Sequence, residues 1–124
     1  MKNAIVIMSD PQSGSDEALG RVFNALALAS QCKEQGDDVA VVFNGAGTRW
    51  PGELVKLTHP AHTLYEAVRD VVSGASCGCA EVFGATESVQ ACGVPTVKDN
   101  PLVGTAGLLS LRRYLSEGWN LLIF

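Results

Sequence analysis

At 124 residues and 13.0 kDa the chain has the commonest size for one domain and can bury a core without disulfide staples, so a single domain over residues 1–124 is expected. Hydrophobic residues make up 47% and charged residues 18%, with a mean hydropathy of +0.17, which describes a compact soluble protein with an apolar surplus suited to an interface between copies. A net charge of −4, a pI near 5.0 and the lack of any Lys/Arg cluster argue against nucleic acid as a partner.

The opening Met1–Met8 carries one basic residue and too short an apolar run for a signal peptide, and no stretch approaches the roughly 20 apolar residues of a membrane span. No membrane partner and a cytoplasmic location are therefore expected. There thiols are kept reduced, so the four cysteines read as buried thiols, a redox or nucleophilic site, or a metal site.

In chain order, Asn3 to Met8 is a short Ile/Val-rich run closed by Ser-Asp-Pro, the pattern of a strand buried on both faces. Asp16 to Gln35 repeats Leu19, Val22, Phe23 and Leu26 at helical spacing, with Ser15 to cap the start and Gly36 to close the end. Asp38 to Phe43 is a second buried strand, broken by Asn44-Gly45-Ala46-Gly47. Between Thr48 and Ala61 the pattern weakens to one short helix around Glu53 to Leu57. His62 to Val72 reads as a helix, Ser73 to Cys77 as a strand by its position, and Ala80 to Ala91 as one further helix. Val94 to Val97 is a minimal fourth strand, Thr105 to Glu117 a helix carrying Leu108, Leu111 and Leu115, and Trp119 to Phe124 the last strand. Strands alternating with helices imply a three-layer α/β/α sandwich with a five-stranded, mostly parallel sheet. Chemistry in such folds collects at the carboxyl ends of the strands, here the loops 9–15, 44–50, 77–80 and 98–104.

Cys77 and Cys79, in Ser76-Cys77-Gly78-Cys79-Ala80, stand at one of those ends and run into an expected helix start, where backbone N–H groups favour thiolate. Glu81 opposes that activation. A Cys77–Cys79 bridge would close a tight, easily reduced ring, suited to a transient redox state. The plainer alternative is packing of small residues. Cys32 and Cys92, near helix ends, read as structural. A metal set drawn from Cys77, Cys79, His59 and His62 has the wrong spacing, so no metal is expected. The first loop is similar to the phosphate-cradling loop of flavodoxins, but Asp10, Asp16 and Glu17 would repel a phosphate, so no cofactor is expected. Gly45, Gly47 and Arg49 in Asn44–Arg49 could hold an anionic sulfur species or receive a partner; an ordinary glycine turn with a surface arginine explains them equally well.

With these elements in place, the chain resembles the DsrE/DsrF-like family over nearly its full length. The likeness lies in VVFNGAG at the end of strand two, FNGAGTRWPGEL, SGASCGCAEVFG, ACGVP and the terminal EGWNLLIF. It implies a DsrEFH-like fold with sheet order 4-3-2-1-5 and assembly into trimers or hexamers. It also implies a cysteine after strand three that carries sulfane sulfur as a persulfide, which maps to Cys77 or Cys79; the spacing of Cys77 from Gly84 favours Cys77, leaving Cys79 as a resolving thiol. The expected function is thus a persulfide-carrying sulfurtransferase or sulfur-relay protein, partnered by sulfur donor and acceptor proteins or small thiols. A non-catalytic oligomeric binding module and a thiol-redox protein cycling a Cys77–Cys79 bridge stand beside it.

Overall fold

The computed structural model describes residues 1–124. Its centre is set by two apolar runs that can only be buried on both sides: β1 (Lys2–Ile7) and β2 (Asp38–Phe43), parallel and paired from Lys2↔Asp38 to Ile7↔Phe43. β3 (Val72–Ser76) pairs with β2, β4 (Thr96–Val97) with β3, and β5 (Asn120–Ile123) with β1. All neighbours are parallel, and the order is β4-β3-β2-β1-β5, the order that the resemblance implies.

That order dictates the layers. From β1 to β4 the chain steps one way across the sheet, and right-handed crossovers taken in one direction stack their helices on one face. On that face lie α1 (Asp16–Glu34), α2 (Trp50–Leu54), α3 (His62–Val68), α4 (Cys77–Val82) and α5 (Thr86–Ala91), whose Val22, Leu26, Leu54, Tyr65, Val68 and Val89 close over Ile5, Ile7, Val41 and Phe43. The return from β4 to β5, beside β1, crosses the opposite face. There α6 (Leu111–Ser116) and the segment before it bring Leu109 and Tyr114 onto Ala4, Val6, Ala40 and Val42. The fold is a three-layer α/β/α sandwich, and no helix is long and apolar enough to cross a membrane.

The long helix starts as its sequence suggests, with Ser15 Oγ accepting from Ala18 N at 3.1 Å, and the chain leaves it through Gly36 at φ 81°. Elsewhere the expected bounds change. The short helix begins at Trp50 rather than Glu53, because Pro51 fits a first turn where no N–H is needed. The helix expected to run to Val72 stops at Val68, followed by a 3-10 turn over Arg69–Val71. Ala80 to Ala91 is two helices, parted at Gly84, whose φ of 66° no helix tolerates. The expected helix from Thr105 is reduced to Leu111–Ser116, since Asn100 and Leu108 form an antiparallel bridge and Gly107 takes φ 98°.

Candidate functional site

Cys77 and Cys79 lie together in the first turn of α4, directly after β3, both half-buried and both free thiols. Buried Ser76 precedes them; its hydroxyl does not cap α4 but accepts from Leu109 N at 3.1 Å. Gly78 N donates to the Gly107 carbonyl at 2.8 Å, and a Cβ on Gly78 would lie 2.7 Å from Leu108 Cδ2. The glycine between the cysteines is therefore a packing requirement: it lets the 98–110 segment cross over the end of β3. Two features correct the sequence reading. Cys77 is itself helical rather than the end of the strand, and α4 has only six residues, too few for a strong dipole at its start. At about 100° per residue, side chains two apart on a helix point to nearly opposite sides, so a Cys77–Cys79 bridge requires the first turn to unwind.

Arg49 is not an open cation. Its Nε donates to the Phe83 carbonyl at 3.0 Å, its Nη1 reaches both carboxylate oxygens of Asp10 at 3.1 and 3.2 Å, and its guanidinium lies 5.4 Å from the Phe83 ring centre. It ties the loop after β1 to the last turn of α4. Gly47 belongs to a 3-10 turn over Gly45–Arg49 that presses on β1: its N–H donates to Asn44 O at 2.9 Å, and a Cβ there would fall 2.0 Å from Ile7 O. Gly45 has φ 56°, and a Cβ added there would meet the Met8 methyl at 3.4 Å. These three residues thus build the platform beside α4, in the loop for which the sequence left an anion or partner site and an ordinary glycine turn equally open. Asn44, which sequence reasoning passed over, is buried at the end of β2 with its side-chain Oδ1 unpartnered.

The first loop and the start of α1 form one wall of an open cleft of about 430 Å³ at the carboxyl ends of β1 and β5, with Met8, Ile123 and Phe124 opposite. Its polar groups are engaged within the chain: Ser13 Oγ donates to Asp10 O at 2.8 Å, Asp10 Oδ1 accepts from Gln12 N at 2.9 Å as well as from Arg49, and Ser9 O accepts from Trp50 Nε1 at 2.7 Å. The histidines are likewise committed locally. His59 Nδ1 accepts from Ala61 N at 3.1 Å, and His62 Nδ1 lies 2.8 Å from Leu54 O. Cys32 is buried and accepts from Asn3 Nδ2 at 3.5 Å, and burial pushes the Cys92 thiol pKa up.

An uncharacterized protein of Methanocaldococcus jannaschii is similar to this chain, 29% identical over 103 residues, which span 82% of this chain and 78% of that one. No family model and no solved structure matches the chain.

Proposed function

We propose that the chain is a sulfur-handling protein of the DsrE/DsrF-like kind, with Cys77 as a persulfide carrier. The observation that supports this reading is a half-buried free thiol at the first residue after β3, in a sheet ordered β4-β3-β2-β1-β5. The Cys77 thiolate attacks the outer sulfur of a donor persulfide R–S–SH, giving Cys77–S–SH and R–S⁻. An acceptor thiolate then takes that outer sulfur and regenerates Cys77–S⁻. No cofactor enters either step. Donor and acceptor are proteins or small thiols of the cytoplasm, and the working form is a homo-oligomer, a trimer or hexamer. Half-exposed or more open apolar side chains such as Leu102, Val103 and Ile123 favour assembly.

The diverging side chains of Cys77 and Cys79 weaken the resolving role for Cys79 and favour release to an external thiol. Intact mass after incubation with a sulfane-sulfur donor tests the reading. Wild type and Cys79→Ser gain one sulfur, and Cys77→Ser gains none. Loading lost only in Cys79→Ser moves the carrier by two residues. Loss of two hydrogens in wild type returns the bridge-cycling reading, and an unchanged mass leaves a binding module.

A further inference from the structure

The sheet has two open edges, and the chain treats them differently. β4 spans only Thr96–Val97 behind Pro95, a short edge of the kind that resists pairing with another strand. β5, at the other edge, runs over Asn120–Ile123 in regular register with β1, and the sequence WNLLIF around it holds no charge and no proline.

The backbone groups that this edge offers follow from its pairing with β1. Phe124 N donates to Val6 O, and Met8 N donates to Phe124 O, each at 2.8 Å. Bonded residues alternate along a parallel ladder, so Leu122 and Asn120 also face β1, while the N–H and C=O of Leu121 and Ile123 point away from it. Neither residue's backbone makes a turn, loop or cap hydrogen bond elsewhere in the chain. The register is pinned at the strand's start, where Asn120 Nδ2 donates to Asn3 Oδ1 at 2.9 Å.

A second β5 laid antiparallel beside the first, with a twofold axis at Leu122, sets Leu121 of each copy opposite Ile123 of the other. Each of those pairs exchanges both N–H···O bonds, so every outward group of Leu121 and Ile123 is satisfied, and the two Leu122 side chains meet at the close, non-bonded position. The side chains suit this contact. Leu122 packs on the α1-side core and Leu121 on the α6-side core, both half-buried, and Ile123, on the same side as Leu121 by strand alternation, is 57% exposed. Because the strand is uncharged, copies of net charge −4 meet along it without setting like charges opposite one another.

We propose that β5 is the interface of a twofold homodimer, pairing antiparallel with β5 of a second copy into one continuous sheet. The contact does not depend on a role for Cys77. By itself it gives a dimer, and together with a threefold contact a hexamer; it is incompatible with an isolated trimer.

Ile123→Pro removes an outward N–H and no bond to β1, whereas Ile123→Lys keeps the backbone and sets a charge opposite Leu121 of the other copy. Light scattering over a concentration series is expected to give an even multiple of the 13.0 kDa chain for wild type and half that mass for both variants, with thermal melts to show that each is folded. Amide exchange by NMR separates this contact from any other. In wild type the Leu121 N–H, which nothing within one copy binds, exchanges as slowly as that of Leu122, and in Ile123→Lys at least about tenfold faster. A wild-type monomer or trimer, an unchanged mass in both folded variants, or a fast-exchanging Leu121 N–H in the wild-type assembly overturns the proposal, and each of these leaves the persulfide reading untouched.

Discussion

Arg49 donates from Nε to the backbone carbonyl of Phe83 at 3.0 Å, so the C-terminal end of the cysteine-bearing helix is held by a side chain from the loop after β2. Through Asp10 the same guanidinium also holds the loop after β1. Replacing Arg49 by Met keeps the aliphatic stem over Phe83 and removes every one of these hydrogen bonds. We expect a loss of about 1–3 kcal/mol in denaturant unfolding, with faster amide exchange across Cys77–Phe83. Asp10→Asn, which keeps an oxygen for Gln12 N, costs less than about 1 kcal/mol. Unchanged stability and exchange in Arg49→Met show the clamp to be idle.

Gly47 sets a harder limit. An added Cβ would meet the Ile7 carbonyl, which is backbone at the end of a central strand and has no room to yield. Gly47→Ala therefore loses more than about 3 kcal/mol, enough to unfold a marginal domain, whether or not an anion is present. Gly84→Ala is the control: its φ of 66° is strained for alanine but the space around it is open, so about 1–2 kcal/mol is lost. Circular dichroism melts with and without sulfate separate the two accounts of Gly47. Stabilisation by sulfate that Gly47→Ala abolishes in a folded protein revives the anion cradle.

The four thiols differ in access and surroundings. Cys32 is buried and hydrogen-bonded by Asn3, and burial raises the Cys92 pKa, whereas Cys77 and Cys79 are half-buried in the first turn of α4. Iodoacetamide at neutral pH is expected to label Cys77 or Cys79 first, Cys92 later and Cys32 last. Because the Cys92 thiolate fraction grows only above the ordinary thiol range, its labelling gains ground as pH is raised. Peptide mapping that finds Cys32 or Cys92 ahead at pH 7 removes the chemical distinction of the α4 pair.

Where side-chain pattern and local caps agree, the sequence is easily read. β2 has the bounds Asp38–Phe43 that its apolar run suggests, and α1 is framed by Ser15 and Gly36. Where one glycine carries the decision, the pattern misleads. Val82 and Val89 sit at helical spacing, yet Gly84 between them turns the chain, and Val82 ends up largely exposed. Leu108, Leu111 and Leu115 also have helical spacing, but Leu108 is held by Asn100 across a bridge and lies over Gly78, a long-range arrangement that outweighs helix propensity. At the site, Cys77 and Cys79 are visible as thiols after a strand. Arg49 is visible only as a cation beside glycines, because Asp10 and Phe83 lie 39 and 34 residues away in the chain and nothing local announces them.

His59 makes stability depend on pH near neutrality. Burial lowers its pKa below the usual 6.5, outweighing the opposing pull of Glu53, with smaller lowering contributions from Lys56 and His62. The geometry agrees: Ala61 N donates to Nδ1, which must be unprotonated to accept, and the ring stands edge-on to Trp50 with centres 5.9 Å apart. The folded chain therefore binds this proton less readily than the unfolded chain, so the unfolded state carries more protons in the window and stability rises with pH. The contribution is complete above about pH 6.5 and is lost as pH falls from there through the folded-state pKa. His59→Gln removes the titration, so the difference in unfolding free energy between wild type and variant should shrink on going from about pH 7.5 to below the folded-state pKa. An NMR titration places the His59 midpoint below that of the unfolded chain. A midpoint above it, or a wild-type advantage that grows on acidification, reverses the sign and refutes the assignment.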